Sequence, residues 1–332
     1  MKNSISLIIP SISENFYVND FLINIFLWSL VPSEIIFINT SEKKIKIDKN
    51  LEKEFNKKKI KIIIIDKKNL YPGAARNLGI KYSRSKYILF LDMNTVPYNK
   101  NWLNKNFKYL IKNKLDGLYG QTFYLANSYK EKIIRASTYG KAYLRTIPGS
   151  IYKKKTFNKI GKFNSQTRAG EDTEWINRSK KFNLKISDSI EPIYYKGLYN
   201  ATYLGIIKKW FRNYSYSASL PHLAAQKNLY IFLSFLFVFF SVFNWNSSSL
   251  NWDSGIGIFV PHITKIFLFC SSLIYLFIRG VYIPLIKKIN LRFLFPYNII
   301  GITFFSFILD STKLLAFCLS LFLKSFRITI YK

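Results

Sequence analysis

This chain has little sulfur, and little acid beside its base. Its 332 residues include two cysteines, and 18 Asp+Glu stand against 50 Lys+Arg, a formal net charge of +32. Cys270 and Cys318 both fall inside apolar segments. They read as lipid- or core-facing thiols rather than a bridge, and they give no sign of an oxidising compartment. Zinc-ligand spacing, an RNP-type motif and a basic heptad region are all missing, so the charge does not read as a nucleic-acid surface. Residues 1–10 are not expected to act as a signal peptide, because their apolar run is short and polar residues soon follow. The chain shows neither an internal repeat nor a low-complexity linker.

What is present is unevenly spread. Residues 1–228 hold 41 Lys+Arg against 16 Asp+Glu, and residues 229–332 hold 9 against 2. The length suffices for one sizeable core plus an appendage. A basic soluble part favours anionic partners, including inner-leaflet lipids and acidic small molecules.

Hydrophobic periodicity predicts alternating strands and helices. Residues 4–10, 34–38, 59–65 and 87–91 are short apolar runs with strand character. Between them, residues 18–30 repeat apolar side chains at helical spacing, 51–55 lie in a charged helix, and 73–82 form a helix opened by Pro72-Gly73. This order argues for a mostly parallel sheet covered on both faces.

Three local patterns carry chemistry. The run at 87–91 ends abruptly in Asp92-Met93-Asn94, with Pro97 beyond it. In an open α/β sheet that is where ligands bind. Two oxygen side chains one residue apart can share a side of an extended chain. Mg²⁺ often takes only one or two such ligands from protein, the rest coming from phosphate and water. A plain polar turn fits the same residues. The second pattern is Gly73-Ala-Ala-Arg76-Asn77-Leu-Gly79, where small residues permit close backbone approach and Arg76 suits a phosphate or nucleotide. Tight packing with a solvated arginine fits equally. The third is Gly170-Glu171-Asp172, an acidic helix start that reads as dipole complement or as the seat of a general base, Asp172. Residues 146–152 read as a loop leading into a strand, suited to lining the same cleft.

In this order, the strand ending at Pro10, Gly73-x-x-Arg76-Asn77-x-Gly79, Asp92-x-Asn94, Pro148-Gly149-Ser150 and Glu171-Asp172 resemble the family 2 glycosyltransferases of GT-A fold, over about residues 4–215. The resemblance implies an α/β, Rossmann-like cytoplasmic domain at 1–225 with a mostly parallel sheet and helices on both faces. It implies inverting transfer of a sugar from a nucleoside-diphosphate sugar to a lipid-linked or polysaccharide acceptor, in cell-surface glycan synthesis. By the same resemblance, Pro10, Ser11 and Glu14 lie along the nucleotide, Asn39 contacts the base, and Arg76 closes the pocket. Asp92 and Asn94 bind the diphosphate through Mg²⁺ or Mn²⁺. Pro148, Gly149 and Ser150 lie on the acceptor side. Asp172 is the base and Glu171 orients it.

The chain also departs from the family pattern. Ile12 stands where an aromatic often stacks on the base, Asn39-Thr40 replaces an Asp-Asp pair, and Asn94 replaces a second acid. Gln-x-x-Arg-Trp, the mark of processive synthases, is missing, so single addition is expected. Two other readings remain: a polyprenyl-phosphate glycosyltransferase, and a catalytically silent glycosyltransferase-like scaffold. Nucleic acid is not expected as a partner.

Residues 226–332 read as a membrane region that contacts lipid. Spans are expected at about 229–245 and 256–278, followed by an interfacial or re-entrant segment at 293–323 that contains Asp310 and Lys313. The 246–255 loop has no Lys or Arg, whereas Arg279, Lys287, Lys288 and Arg292 follow the second span. The positive-inside rule then gives a multi-pass protein of the inner (plasma) membrane with its catalytic domain in the cytoplasm.

Overall fold

A computed structural model describes residues 4–11, 18–218, 220, 223–242 and 262–325. The chain forms two compact units. The first takes residues 1–125 and 143–199, the second 126–142 and 200–332.

The first unit alternates strand and helix as the apolar runs require. β1 (Ile5–Ser11), α1 (Val18–Phe26), β2 (Glu34–Asn39), α2 (Lys49–Lys57), β3 (Lys61–Asp66), α3 (Pro72–Tyr82) and β4 (Tyr87–Phe90) build four parallel strands in the order β3-β2-β1-β4. Both faces of β1, β2 and β4 are buried, whereas β3, at the sheet edge, is half-exposed. Ile5, Leu7, Ile9, Ile35, Phe37 and Leu89 point to one core, with Leu22, Phe55 and Leu103. Ile8, Ile88 and Phe90 point to the other, with Phe157, Phe163 and Trp175. Period-two alternation between two apolar layers explains why the strands read as unbroken apolar runs.

Beyond β4 the sheet becomes mixed. After β5 (Thr95–Pro97) and α4 (Trp102–Lys112) come β6 (Gly117–Tyr124) and then, past residues 126–142, β7 (Leu144–Lys153). β7 runs antiparallel to both β4 and β6. α6 (Thr156–Ile160), α7 (Glu171–Ser179), β8 (Ile186–Asp188) and β9 (Ile193–Tyr195) complete the unit, with β8 and β9 parallel to β6. Residues 146–152, expected as a loop leading into a strand, lie wholly within β7. Pro148 and Gly149 (φ +82°) are absorbed there by a register shift against β6. Pro97 sits on β5, which among the described residues pairs with β9 alone, where a missing N–H costs least.

The second unit is helical. α5 (Tyr129–Ser137) carries a capping box between Ser128 and Glu131, and α8 (Tyr203–Ser217) is capped by Thr202. Three further helices have stretches long and apolar enough to cross a membrane: Ala224–Ser241, Ile266–Ile286 and Asn298–Phe322. The second contains a π turn, Phe277–Tyr282. The third belongs to a continuous 28-residue helix, Asn298–Ser325, about 42 Å long. Asp310 is its polar centre. It pairs with Arg279 at 2.8 Å and accepts hydrogen bonds from the hydroxyls of Tyr230 (3.1 Å) and Tyr275 (2.9 Å). In this way one carboxylate ties all three long helices together.

Candidate active site

The strand ends define the floor of the site. In the parallel ladder Ser11 is opposite Asn39, and Asn39 is opposite Asp66. β4 ends beside β1 and hands over to Asp92. At that point the sheet order turns from β1 to β4, the place where open α/β sheets bind ligands. Asp92 is not on extended chain. Residues 92–95 form a turn closed by Thr95 N–H to Asp92 O at 2.9 Å, with the Thr95 hydroxyl on the same oxygen. Turn geometry, rather than strand alternation, therefore presents Asp92 and Asn94.

α3 docks close because it is built from small residues. A Cβ on Gly73 would lie 2.0 Å from Asn164 O, and one on Gly79 would lie 2.3 Å from the Ile8 side chain. This approach places Asn77 against the 161–170 loop. Its amide donates to Phe163 O and accepts from Phe163 N–H, each at 2.9 Å. Arg76, one residue earlier, points between β4 and α7. Its Nη1 donates to Glu171 Oε1 at 2.6 Å, and its Nη2 lies 3.5 Å from Asp92 Oδ1.

α7 delivers the acids. Gly170 takes φ +84°, which a side chain rarely tolerates, and turns the chain into the helix. One helical turn on, Trp175 is fully buried against Tyr152, Phe157 and Phe163, with its indole N–H on Gly161 O at 2.9 Å. Residues four apart share a face, so Glu171 is drawn inward with Trp175. Asp172 is rotated off that face and half-buried, with Oδ1 accepting from Thr173 N–H at 2.7 Å.

The electrostatics follow from crowding three carboxylates around one guanidinium. Burial lowers the Arg76 pKa, but Asp92, Glu171 and Asp172 together outweigh it and raise it overall. Burial, then the nearby Asp172, pushes Glu171 up to about 7 despite Arg76. Asp92 is also raised, by burial first and Asp172 second, against the pull of Arg76. With all three acids ionised the cluster carries −2, which is why burial and mutual repulsion raise the carboxyl pKa values.

The structure brings Arg76, Asp92, Glu171 and Asp172 together. Pro10 and Ser11 lie at the end of β1, whereas Glu14, like Ile12, falls outside the described residues. Asn94 is exposed beside Asp92. Pro148, Gly149 and Ser150 are all buried in β7. Asn39 is buried, and its amide nitrogen is committed to Asp66 Oδ1 (2.7 Å) and Lys43 O (2.8 Å). Sequence reasoning stopped the third strand at residue 65 and so missed Asp66. Its signal was available: an apolar run ending in Asp, as at Asp92. The 163–164 loop carries no such signal, because its role is backbone contact with α3.

The profile of the family described as Glycosyl transferase family 2 matches residues 6–177. The chain is a family 2 glycosyltransferase. The match covers the first unit's parallel strands, the Arg76 helix and the start of α7. An uncharacterized glycosyltransferase of Methanocaldococcus jannaschii is 28% identical over 221 residues, 62% of this chain and 73% of the relative. Among solved structures, S. aureus TarS 1-349 aligns over 99% of this chain and 93% of its own, with 13% identity and a TM-score of 0.44. The same TarS fragment in complex with UDP-GlcNAc aligns with 14% identity and a TM-score of 0.43.

Proposed function

We propose that this glycosyltransferase moves a single sugar, with inversion, from a nucleoside-diphosphate sugar to a lipid-linked or polysaccharide acceptor at the cytoplasmic face of the inner membrane. The observation that carries the reading is the Arg76 bridge. One buried guanidinium joins the turn after the central strand to the acidic start of α7, so diphosphate site and base are built as one piece.

The donor diphosphate lies over the end of β4. Asp92 keeps one oxygen without a hydrogen bond among the described residues, and the exposed Asn94 adds a neutral oxygen. This all-oxygen pair suits Mg²⁺ or Mn²⁺, which needs few protein ligands when phosphate supplies others. When bound, the cation offsets the charge that builds on the leaving diphosphate. Asp172 accepts the acceptor hydroxyl's proton as its oxygen attacks the anomeric carbon. The bond from that carbon to the diphosphate breaks on the opposite side, and the nucleoside diphosphate leaves with the electron pair. Glu171 is held on Arg76 and keeps the first turn of α7 in place, so it positions rather than reacts. Pro148, Gly149 and Ser150 shape the acceptor side from within β7.

In the membrane, Ala224–Ser241 and Ile266–Ile286 cross and Asn298–Ser325 lies along the interface. Supporting this, Asp310 and Lys313 interrupt the apolar run of the last helix at its middle, and Ile300, Phe304, Phe307 and Leu315 form an exposed apolar stripe on the side away from Ile302, Phe305, Ser306 and Lys313.

The test is incubation of the full chain in detergent with a panel of sugar nucleotides, with and without Mn²⁺. Consumption of one donor with release of its nucleoside diphosphate supports the reading. If no sugar nucleotide is bound or consumed, the reading fails.

A further inference from the structure

The ends of β2 and β3 hold a pair that the reaction above does not use. Asn39 donates both amide hydrogens, to Asp66 Oδ1 at 2.7 Å and Lys43 O at 2.8 Å. Its own oxygen accepts from Ser41 N–H (3.2 Å) and the Ser41 hydroxyl (3.3 Å). An amide has two donors and two acceptor sites, so Asn39 has nothing left for a ligand. It is also 1% exposed. Asp66 is the opposite case. It is exposed, one oxygen is fixed by Asn39, and the second has no partner among the described residues. Its backbone is fixed too, because the β2–β3 pairing runs on past the strands through Lys67 N–H to Asn39 O (2.8 Å) and Asn69 N–H to Thr40 O (3.1 Å).

Position says what this carboxylate meets. Asp92, at the β4 end, and Asp66, at the β3 end, are separated by three inter-strand steps through β1 and β2, about 14 Å. With its phosphates over Asp92 at the β1–β4 switch point, a nucleoside diphosphate laid along this row of strand ends would bring its base to Asp66. An ionised carboxylate can only accept.

We propose that Asp66, held rigid by Asn39, reads the donor's nucleobase by accepting a hydrogen bond from a ring N–H, which selects a uracil, thymine or guanine nucleotide over cytosine or adenine. The proposal rests on the nucleotide-sugar reading and narrows it. Asn39 then serves as a positioning residue, and the carboxylate that the second strand lacks is supplied from the third.

The test is calorimetric binding of UDP, GDP, CDP and ADP to the full chain in detergent with Mn²⁺. 3-Methyl-UDP, which lacks only the ring N–H of UDP, is the fifth probe. Wild type should bind UDP or GDP at least about tenfold tighter than CDP and ADP, the scale of one hydrogen bond to a charged group. If UDP is the ligand, 3-methyl-UDP should lose at least as much. Asp66→Asn should erase most of that preference, and the exchanged pair Asn39→Asp with Asp66→Asn should restore part of it, which shows that the fold is intact. Equal binding of CDP and the preferred nucleotide, or a preference unchanged in Asp66→Asn, overturns the assignment of Asp66 while leaving the transferase reading standing. Binding of none of the five overturns both.

Discussion

Arg76 Nη1 and Glu171 Oε1 are 2.6 Å apart, and both side chains are more than nine-tenths buried. Removing one partner of such a pair strands the other charge. Arg76→Met should therefore cost about 3–5 kcal/mol of unfolding free energy at pH 8. At pH 5 the loss should shrink, because Glu171 can take a proton. The double variant Arg76→Met with Glu171→Leu should recover much of the loss. Denaturant unfolding of the three proteins checks this. An Arg76→Met variant as stable as wild type at pH 8 contradicts it.

Glu171 makes its own pH signature. Its folded pKa of about 7 lies above the usual glutamate value of 4.5, so between these pH values the folded state binds more protons than the unfolded one. Stability from this group is thus fully present below about pH 4.5 and is lost as pH rises through about 7. The loss is at most about 3 kcal/mol. In metal-free buffer, wild type should lose melting temperature across that window relative to Glu171→Gln. Parallel curves for the two proteins would remove the raised pKa.

Asp172 is assigned the proton transfer. Asp172→Asn keeps size and hydrogen bonding but not basicity, so kcat should fall by roughly 10²-fold or more while donor affinity holds. Glu171→Gln should be milder. Single-turnover transfer and melting temperature, measured on one preparation, separate chemistry from a structural role at the helix start. A folded Asp172→Asn protein with near-normal transfer removes the assignment.

Donor binding should weaken on chelation. Asp92→Ala should weaken it more than Asn94→Ala, because only Asp92 offers a formal charge. Isothermal titration with and without EDTA reads this directly, and equal affinities would show that no cation bridges donor and protein.

A reporter fused after Lys332 should read cytoplasmic, and one inserted in the 246–255 loop should read external. An external C-terminal reporter would make Asn298–Ser325 a third crossing.

Much of the catalytic unit was legible in sequence because β1, β2 and β4 are short apolar runs buried on both faces. The expected runs at 4–10, 34–38 and 87–91 match β1, β2 and β4 within a residue or so. What failed to show was anything that depends on a distant partner. Pro148-Gly149 looks like a loop locally and becomes strand only because β4 and β6 flank it. The parallel pattern predicted for the sheet stops after β4, because β7 returns antiparallel, and strand direction leaves no mark on composition. Arg76 was visible as a residue, but its reach to Glu171 spans 95 positions. The helix at 129–137 went unread because its apolar side, Ile133 and Ala136, faces residues near 289–302.

That last separation has a consequence for synthesis. Ser137 of α5 bonds Ile302 O, a partner 165 residues further along the chain. At about 5–20 residues per second the ribosome needs about 8–33 s to supply it. The sheet of the catalytic unit can close as soon as β9 has emerged, while α5, already made, still lacks the helix that covers Ile133 and Ala136. For that interval its apolar side needs a temporary cover, and Ala224–Ser241, a stretch long and apolar enough to cross a membrane, is made before that helix is.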